Sequence, residues 1–225
     1  MPKKAVVLLS GGMDSALVLA LAMDAGYDVA ALHLNYGQRT ELREQKAFED
    51  ICEHYGIDQK LIVDVTHLAK IGGSSLTDKN MEVRRADLKS KDIPTSYVPF
   101  RNANILAIGT SWAEIIDAEA IFMGAMQLDS SGYPDCRKEF FDAFEKAIHL
   151  GTKPGTNIKI VTPIIDFTKK DIVEKGIIFG VPFHLTWSCY KEEEIACGMC
   201  DSCALRLRGF EMAGERDPLT YRNSK

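Results

Sequence analysis

The sequence predicts an α/β fold, a doubly wound, mainly parallel five-stranded sheet covered by helices, with a small C-terminal zinc-binding appendage. Three observations carry that prediction. Short apolar runs alternate with helix-length runs from the first residues onward, the pattern of successive βαβ units. A turn rich in glycine and serine lies between the first strand-like run and the helix-like run after it. Four cysteines crowd between positions 189 and 203, where the alternation stops.

The elements follow in order. "KAVVLL" reads as a first strand, and a helix starts at about Ser15 in "ALVLALAM". "DVAALHLNY" is the second strand, and "TELREQKAFEDICEHYG" is a helix opened by Thr40 as N-cap and stopped at Gly56. "IDQKLIVDV" supplies the third strand, "NANILAIGTSWAEIID" a helix and "AEAIFMGAM" the fourth strand. "IKIVTPI", closed by Pro163, is the fifth strand, and "TKKDIVEKGIIFG" the helix behind it. Residues 65–100 lack sustained periodicity, and so long an irregular segment is expected to be a lid or binding segment. The expected division is an α/β domain over 1–183 and a metal-bearing segment over 184–225.

The 225 residues suffice for one domain burying roughly 70% of its unfolded surface. A net charge of −5 disfavours bulk electrostatic binding of a nucleic acid, so no direct nucleic-acid partner is expected. The apolar run near the N-terminus is too short for a signal-peptide core, and no run is long enough to cross a bilayer, which points to a cytoplasmic protein without membrane contact.

The turn "LLSGGMDSA" spans Leu8, Leu9, Ser10, Gly11, Gly12, Met13, Asp14, Ser15 and Ala16, and runs on into Leu17 and Val18. Glycine amides, serine hydroxyls and a helix N-terminus suit a bound phosphate. Unlike the Walker loop, it has no lysine. Asp14 would repel a phosphate unless Mg²⁺ lies between them; the alternative is a plain strand-to-helix turn with Asp14 as N-cap.

Cys189, Cys197, Cys200 and Cys203 are separated by seven, two and two residues. Four thiolates at such spacing suit a closed tetrahedral Zn²⁺ site, with an iron–sulfur cluster or a redox pair as the other readings. Trp187 beside them either stacks on a flat ligand or packs in the small core of the appendage. Cys136 and Cys52 stand apart and read as structural.

Other polar segments fall after strand-like runs, where a parallel sheet opens its ligand crevice. Tyr36, Gln38 and Arg39 offer a ring, an amide and a guanidinium for a nucleotide, or form a solvated loop. Arg101 suits charge that develops on a leaving pyrophosphate, and Asn102 is a binding group or only a helix cap. Tyr133 and Asp135 suit stacking on, and hydrogen bonding to, a purine-like base, or form a tight turn.

"SGGMDS" resembles the pyrophosphate loop of the ATP-pyrophosphatase (PP-loop) superfamily, which cleaves ATP between its α- and β-phosphates and adenylates an oxygen of its substrate. Such a loop holds the departing pyrophosphate, and that accounts for the missing Walker lysine. Together with "NYGQR", "VPFRN", "SGYPDCR", "WSCY" and the cysteine spacing, the ordered blocks from about residue 8 to 203 resemble the 7-cyano-7-deazaguanine synthase family of queuosine biosynthesis. Phe100 and "MGAMQLDSSG" depart from the wording commoner in that family, which touches the base-edge contacts and not the reaction class.

The resemblance implies ATP with Mg²⁺, one structural Zn²⁺, a 7-carboxy-7-deazaguanine substrate and ammonia, two rounds of adenylation giving a nitrile, and a homodimer. It assigns catalytic roles to Asp14, Arg101 and Asp135, and substrate contacts to Tyr36, Gln38, Arg39, Asn102, Tyr133, Asp135 and Trp187. With no amide-hydrolysing arrangement in evidence, nitrogen is expected to come from free ammonia or a separate donor protein. The rival readings are a tRNA-thiolating member of the superfamily and a non-catalytic nucleotide-binding zinc protein.

Overall fold

The computed structural model describes residues 3–88, 92–127 and 132–222. The chain runs β1 (Lys3–Leu8), α1 (Met13–Asp24), β2 (Tyr27–Asn35), α2 (Glu41–Tyr55), β3 (Lys60–Asp64), α3 (His67–Ile71), α4 (Arg101–Ile115), β4 (Ala120–Met123), α5 (Lys138–Gly151), β5 (Lys159–Val161), α6 (Lys169–Ile178) and α7 (Asp201–Ala213), with a 3₁₀ turn over Pro134–Cys136 before α5. The five expected strands form one sheet in the order β3-β2-β1-β4-β5, and every pairing is parallel.

That order places the site. β1 pairs with β2 on one side and β4 on the other, so the connections leaving β1 and β4 diverge and open a crevice beyond their carboxyl ends. Buried residues of α1, α2, α6 and α7 pack on one face of the sheet, while α3, α4 and α5 supply the core of the other. β1 and β4 are covered on both faces, which is why they read as unbroken apolar runs rather than alternating ones.

α2 begins after Thr40 and ends at Gly56, as its sequence signals require. The Thr40 hydroxyl does not cap the backbone; it donates to the Glu44 carboxylate at 2.7 Å. The fourth strand is shorter than its apolar run, and Gly124, Ala125 and Met126 leave the sheet to form crevice wall.

Three helices were not expected from the sequence: α3, α5 and α7. α5 carries Phe141 and Ile148 inward with Phe140 and Phe144 beside them, an i, i+4 stripe hidden behind the turn-like "GYPDCR". Each large apolar side chain fully buried in this way contributes about 1.5–3 kcal/mol.

Residues 72–100 stay irregular where described, yet they are anchored. Arg39 donates from Nε to the Ser75 carbonyl at 2.7 Å and from Nη2 to the carbonyls of Asp78 and Met81 at 2.7 and 2.5 Å. Val83 joins an apolar cluster with Trp187 and the four clustered cysteines.

The C-terminal segment is held by a buried ion pair. Arg206 donates through Nε and Nη2 to Asp217 at 2.7 and 2.9 Å, and also reaches the Thr186 hydroxyl at 2.6 Å and the Phe183 carbonyl at 3.1 Å. The Tyr221 hydroxyl completes the network on Asp217 at 2.6 Å. Among the described residues no helix is long and apolar enough to cross a membrane.

Candidate active site

A cavity of about 250 Å³ opens where β1, β2 and β4 end, bounded by residues from the first turns of α1, α2, α4 and α6 and by the segment around Trp187 and Tyr190. Its floor is the lysine-free loop. The Ser15 hydroxyl accepts from the Ser10 N–H at 3.2 Å and donates to the Gly12 carbonyl at 3.0 Å, which folds the loop back on its own helix. Gly12, not Asp14, is the N-cap of α1, and no side chain caps that terminus. The first-turn amides therefore remain suited to an anion.

Gly11 is required by both its backbone and its surroundings. Its φ is +85°, and a Cβ there would lie 2.6 Å from the carbonyl oxygen of Glu44. Gly124 meets a similar limit from β4, because a Cβ would approach the Ser15 nitrogen to 3.1 Å. Below the loop, the His33 ring faces the Leu9 carbonyl through Nδ1 at 3.0 Å. Desolvation holds its pKa below the ordinary value, so near neutral pH the ring is uncharged and its Nδ1–H donates.

The lysine absent from the loop is supplied by another element. Lys169, in the first turn of α6, places Nζ 2.7 and 2.6 Å from the two carboxylate oxygens of Asp14. Sequence reading passed over it. The available signal was a lysine in the first turn of a helix, opposed by the helix dipole, just past the end of a parallel strand.

Across the cavity, Arg101 leads α4 into the site. The preceding Phe100 adopts φ +56°, a strained conformation for a residue with a side chain, and its N–H donates to the Tyr97 hydroxyl at 3.0 Å. Arg101 Nη1 donates to the Tyr36 hydroxyl at 3.3 Å, and its guanidinium lies 5.4 Å from that ring's centre. Burial opposes its charge, and coulombic interaction with Tyr36, Tyr133 and Tyr190 in their ionised forms raises its pKa above the ordinary value. Its Nε is buried with no hydrogen-bond partner among the described residues.

The expected contacts divide into two groups. Tyr36, Asn102, Tyr133 and Trp187 belong to the cavity wall, along with Asp14 and Arg101, whereas Gln38, Arg39 and Asp135 do not. Gln38 accepts the Tyr36 N–H at 2.9 Å and donates to Glu44 at 3.3 Å, and Arg39 is committed to the carbonyls of the irregular segment. Asp135 accepts the N–H of Asn102 at 3.0 Å, and the Asn102 amide returns a bond to the Asp135 carbonyl at 2.9 Å. The pair fixes the entrance to α4; the second Asp135 carboxylate oxygen is buried without a partner among the described residues. The Tyr133 hydroxyl donates to Ser96 at 2.9 Å.

Trp187 belongs to the cavity wall. Its indole is buried under the Arg43 guanidinium, 4.5 Å from the ring centre, and donates to the Glu192 carbonyl at 3.1 Å. Cys136, read as structural, reaches the wall, and burial pushes its thiol up to about 11. Cys52 is buried in the core as expected.

The sulfur atoms of Cys189, Cys197, Cys200 and Cys203 lie within 4.8 Å of one another, and all four residues are buried. Backbone N–H groups of Lys191 and Cys197 point at the Cys189 sulfur, and those of Met199 and Cys200 at the Cys197 sulfur, each at 3.4 Å. Cys200, Cys203 and the Cys197 and Lys191 amides together lower the Cys189 pKa. Four converging thiolates with no further position fit a closed metal site.

A five-stranded parallel sheet with a lysine-free glycine–serine loop at its switch point and an arginine in the same cavity wall defines an α/β protein whose crevice suits an anionic ligand. The fold is shared with a 4-thiouridine synthetase solved with RNA and bound ATP, at a TM-score of 0.53 and 17% identity over 97% of this chain and 47% of that one. The family model described as "Queuosine biosynthesis protein QueC" matches residues 4–214, and the chain belongs to that family. The 7-cyano-7-deazaguanine synthase of Chloroherpeton thalassium is 60% identical over 97% of each chain. That of Chlorobium phaeobacteroides (strain DSM 266 / SMG 266 / 2430) is 59% identical over 97% of this chain and 96% of its own.

Proposed function

We propose that this chain is an ATP-dependent ligase that converts 7-carboxy-7-deazaguanine and ammonia into 7-cyano-7-deazaguanine. The observation that carries the reading is the 60% identity, over 97% of both chains, with a relative of that name. The cavity suits the chemistry, with phosphate-loop amides and the Asp14–Lys169 pair on one side and Arg101 among tyrosines on the other.

A carboxylate is a poor electrophile, and transfer of AMP to its oxygen neutralises it and provides a leaving group. The Gly11–Gly12 segment and the α1 N-terminus would hold the departing pyrophosphate, with Lys169 and Arg101 stabilising charge as it develops. Asp14 would share a Mg²⁺ with the phosphates, and that ion would screen their mutual repulsion. Ammonia then displaces AMP to give the amide, and a second adenylation of the amide oxygen followed by loss of AMP gives the nitrile.

Tyr36, Asn102 and Tyr133 are offered as substrate contacts. Asp135 is offered as the group that sets Asn102 and α4, with its unpartnered oxygen as a further acceptor. The cysteine segment, residues 184–225, would hold one structural Zn²⁺ and act as a unit, and the assembly would be a homodimer.

The test is to incubate purified protein with 7-carboxy-7-deazaguanine, ammonium, Mg²⁺ and ATP, and to quantify nitrile, AMP, pyrophosphate and ADP. The expected result is nitrile with two AMP per product. AMP without nitrile keeps the adenylating chemistry and rejects the substrate, and no ATP cleavage rejects the enzyme reading.

A further inference from the structure

Nitrogen enters the proposed reaction as ammonium, bearing four hydrogens, and ends as a nitrile, bearing none. Two of those protons must leave nitrogen as the amide forms, and a group of the cavity can accept them. Glu44, in the first turn of α2, offers a carboxylate on a residue of the cavity wall. Its carbonyl lies so close to Gly11 that a Cβ there would come within 2.6 Å. Its carboxylate is therefore carried on the residue packed against the phosphate loop. The Thr40 hydroxyl at 2.7 Å and the Gln38 amide at 3.3 Å fix its orientation, while Gln38 is itself held by the Tyr36 N–H.

The other titratable groups of the wall are less suited. Asp14 is committed to Lys169, and Cys136 and Tyr36 hold their protons more tightly than usual because they are buried. His33 is a weakened base, since burial lowers its pKa.

We propose that Glu44 is the proton acceptor for the nitrogen nucleophile, an inference that rests on the ligase reading above. Ammonium first passes one proton to the carboxylate. The nitrogen lone pair then forms the C–N bond, the C–O bond to AMP breaks with its electron pair leaving on the AMP phosphate, and the surplus proton on nitrogen goes to Glu44 after the first has passed to solvent. No oxidant or reductant is involved.

Desolvation pushes the Glu44 carboxyl up to about 7, against the hydrogen bonds from Thr40 and Gln38 and the charge of Arg101 on α4, and with a contribution from Glu41 on its own helix. At that value it can both accept and release a proton near neutral pH.

The experiment separates the two halves of the reaction. Adenylation is followed by pyrophosphate–ATP exchange with 7-carboxy-7-deazaguanine and no ammonium, and amination by single-turnover amide formation with ammonium. For Glu44→Gln the expected result is exchange within about twofold of wild type, amide formation slowed about 10²-fold, and loss of the rate increase with pH centred near 7. Hydroxylamine, a nucleophile uncharged at neutral pH, should restore most of the rate. An equal fall in exchange and amination would assign Glu44 to holding the loop and overturn the proposal, as would unchanged amination. If the glutamine variant does not fold, Glu44→Asp keeps the test: a displaced pH profile with exchange intact supports the role, and an unmoved profile removes it. Failure of the wild type to exchange or form nitrile would instead reject the ligase reading.

Discussion

The backbone N–H of Trp187 donates to the carbonyl of Gly11 at 2.8 Å, so the segment that carries the cysteine cluster is fastened to the phosphate loop. Removing the metal should therefore reach ATP. For Cys200→Ser we expect loss of bound metal by elemental analysis and a rise in KM for ATP of about tenfold, with less change in KM for ammonia. The only other tryptophan is Trp112, so in a Trp112→Phe background the emission of Trp187 should shift to the red as its buried indole meets water. Unchanged metal content would remove the site, and unchanged KM would remove the coupling.

Lys169 and Asp14 should behave as one unit. Lys169→Met and Asp14→Asn are each expected to lower kcat by about 10²–10³-fold with the circular-dichroism spectrum retained, since in the proposed reaction Lys169 would stabilise developing charge and Asp14 would share a Mg²⁺ with the phosphates. The double variant should cost much less than the product of the two single effects. Full multiplicativity would mean that the two side chains act apart.

Gly11→Ala imposes two penalties, a side chain at φ +85° and a clash with the Glu44 carbonyl. The expected loss is about 1–3 kcal/mol of stability by urea unfolding, together with loss of ATP binding by calorimetry.

Arg206 and the Asp217 side chain are 1% and 4% exposed, so removing either leaves a buried charge unpaired. Asp217→Asn or Arg206→Met should cost about 3–5 kcal/mol. A loss below 1 kcal/mol in thermal or urea unfolding would show that water reaches the site.

His33 should mark the acid limit of stability. Its folded pKa lies below the ordinary 6.5, so the unfolded chain takes up that proton first as pH falls. The contribution is complete above about 6.5 and is lost on acidification towards the folded pKa, with a slope of at most about 1.4 kcal/mol per pH unit. In His33→Gln that part of the pH dependence should flatten; an unchanged slope between pH 6.5 and 5 would place the titration elsewhere.

What the sequence disclosed follows from where each signal is encoded. β1 through β5 announced themselves because each is a contiguous apolar run, and the phosphate loop because its residues are adjacent. α5 and α7 did not, although Phe140, Phe141, Phe144 and Ile148 have helical spacing, because turn formers in one case and clustered cysteines in the other drew the reading towards loops. Lys169 and Glu44 are brought to the cavity by strand order, which no local pattern states. Gln38, Arg39 and Asp135 have the right chemistry at the right strand ends, yet hydrogen bonds within the chain engage them. A polar side chain at a crevice serves the ligand or the scaffold, and only its partners distinguish the two.

Arg39 has a consequence of its own. Its one planar fork gathers carbonyls at positions 75, 78 and 81 from a residue close behind β2, and so closes a ring of several dozen residues without a covalent bond. Such a cross-link is indifferent to reductant and depends on geometry as much as on charge, so lysine could not replace it. The first half of the long connection between β3 and α4 is thereby held to β2 independently of the contacts that Val83 and Ala86 make with the cysteine segment.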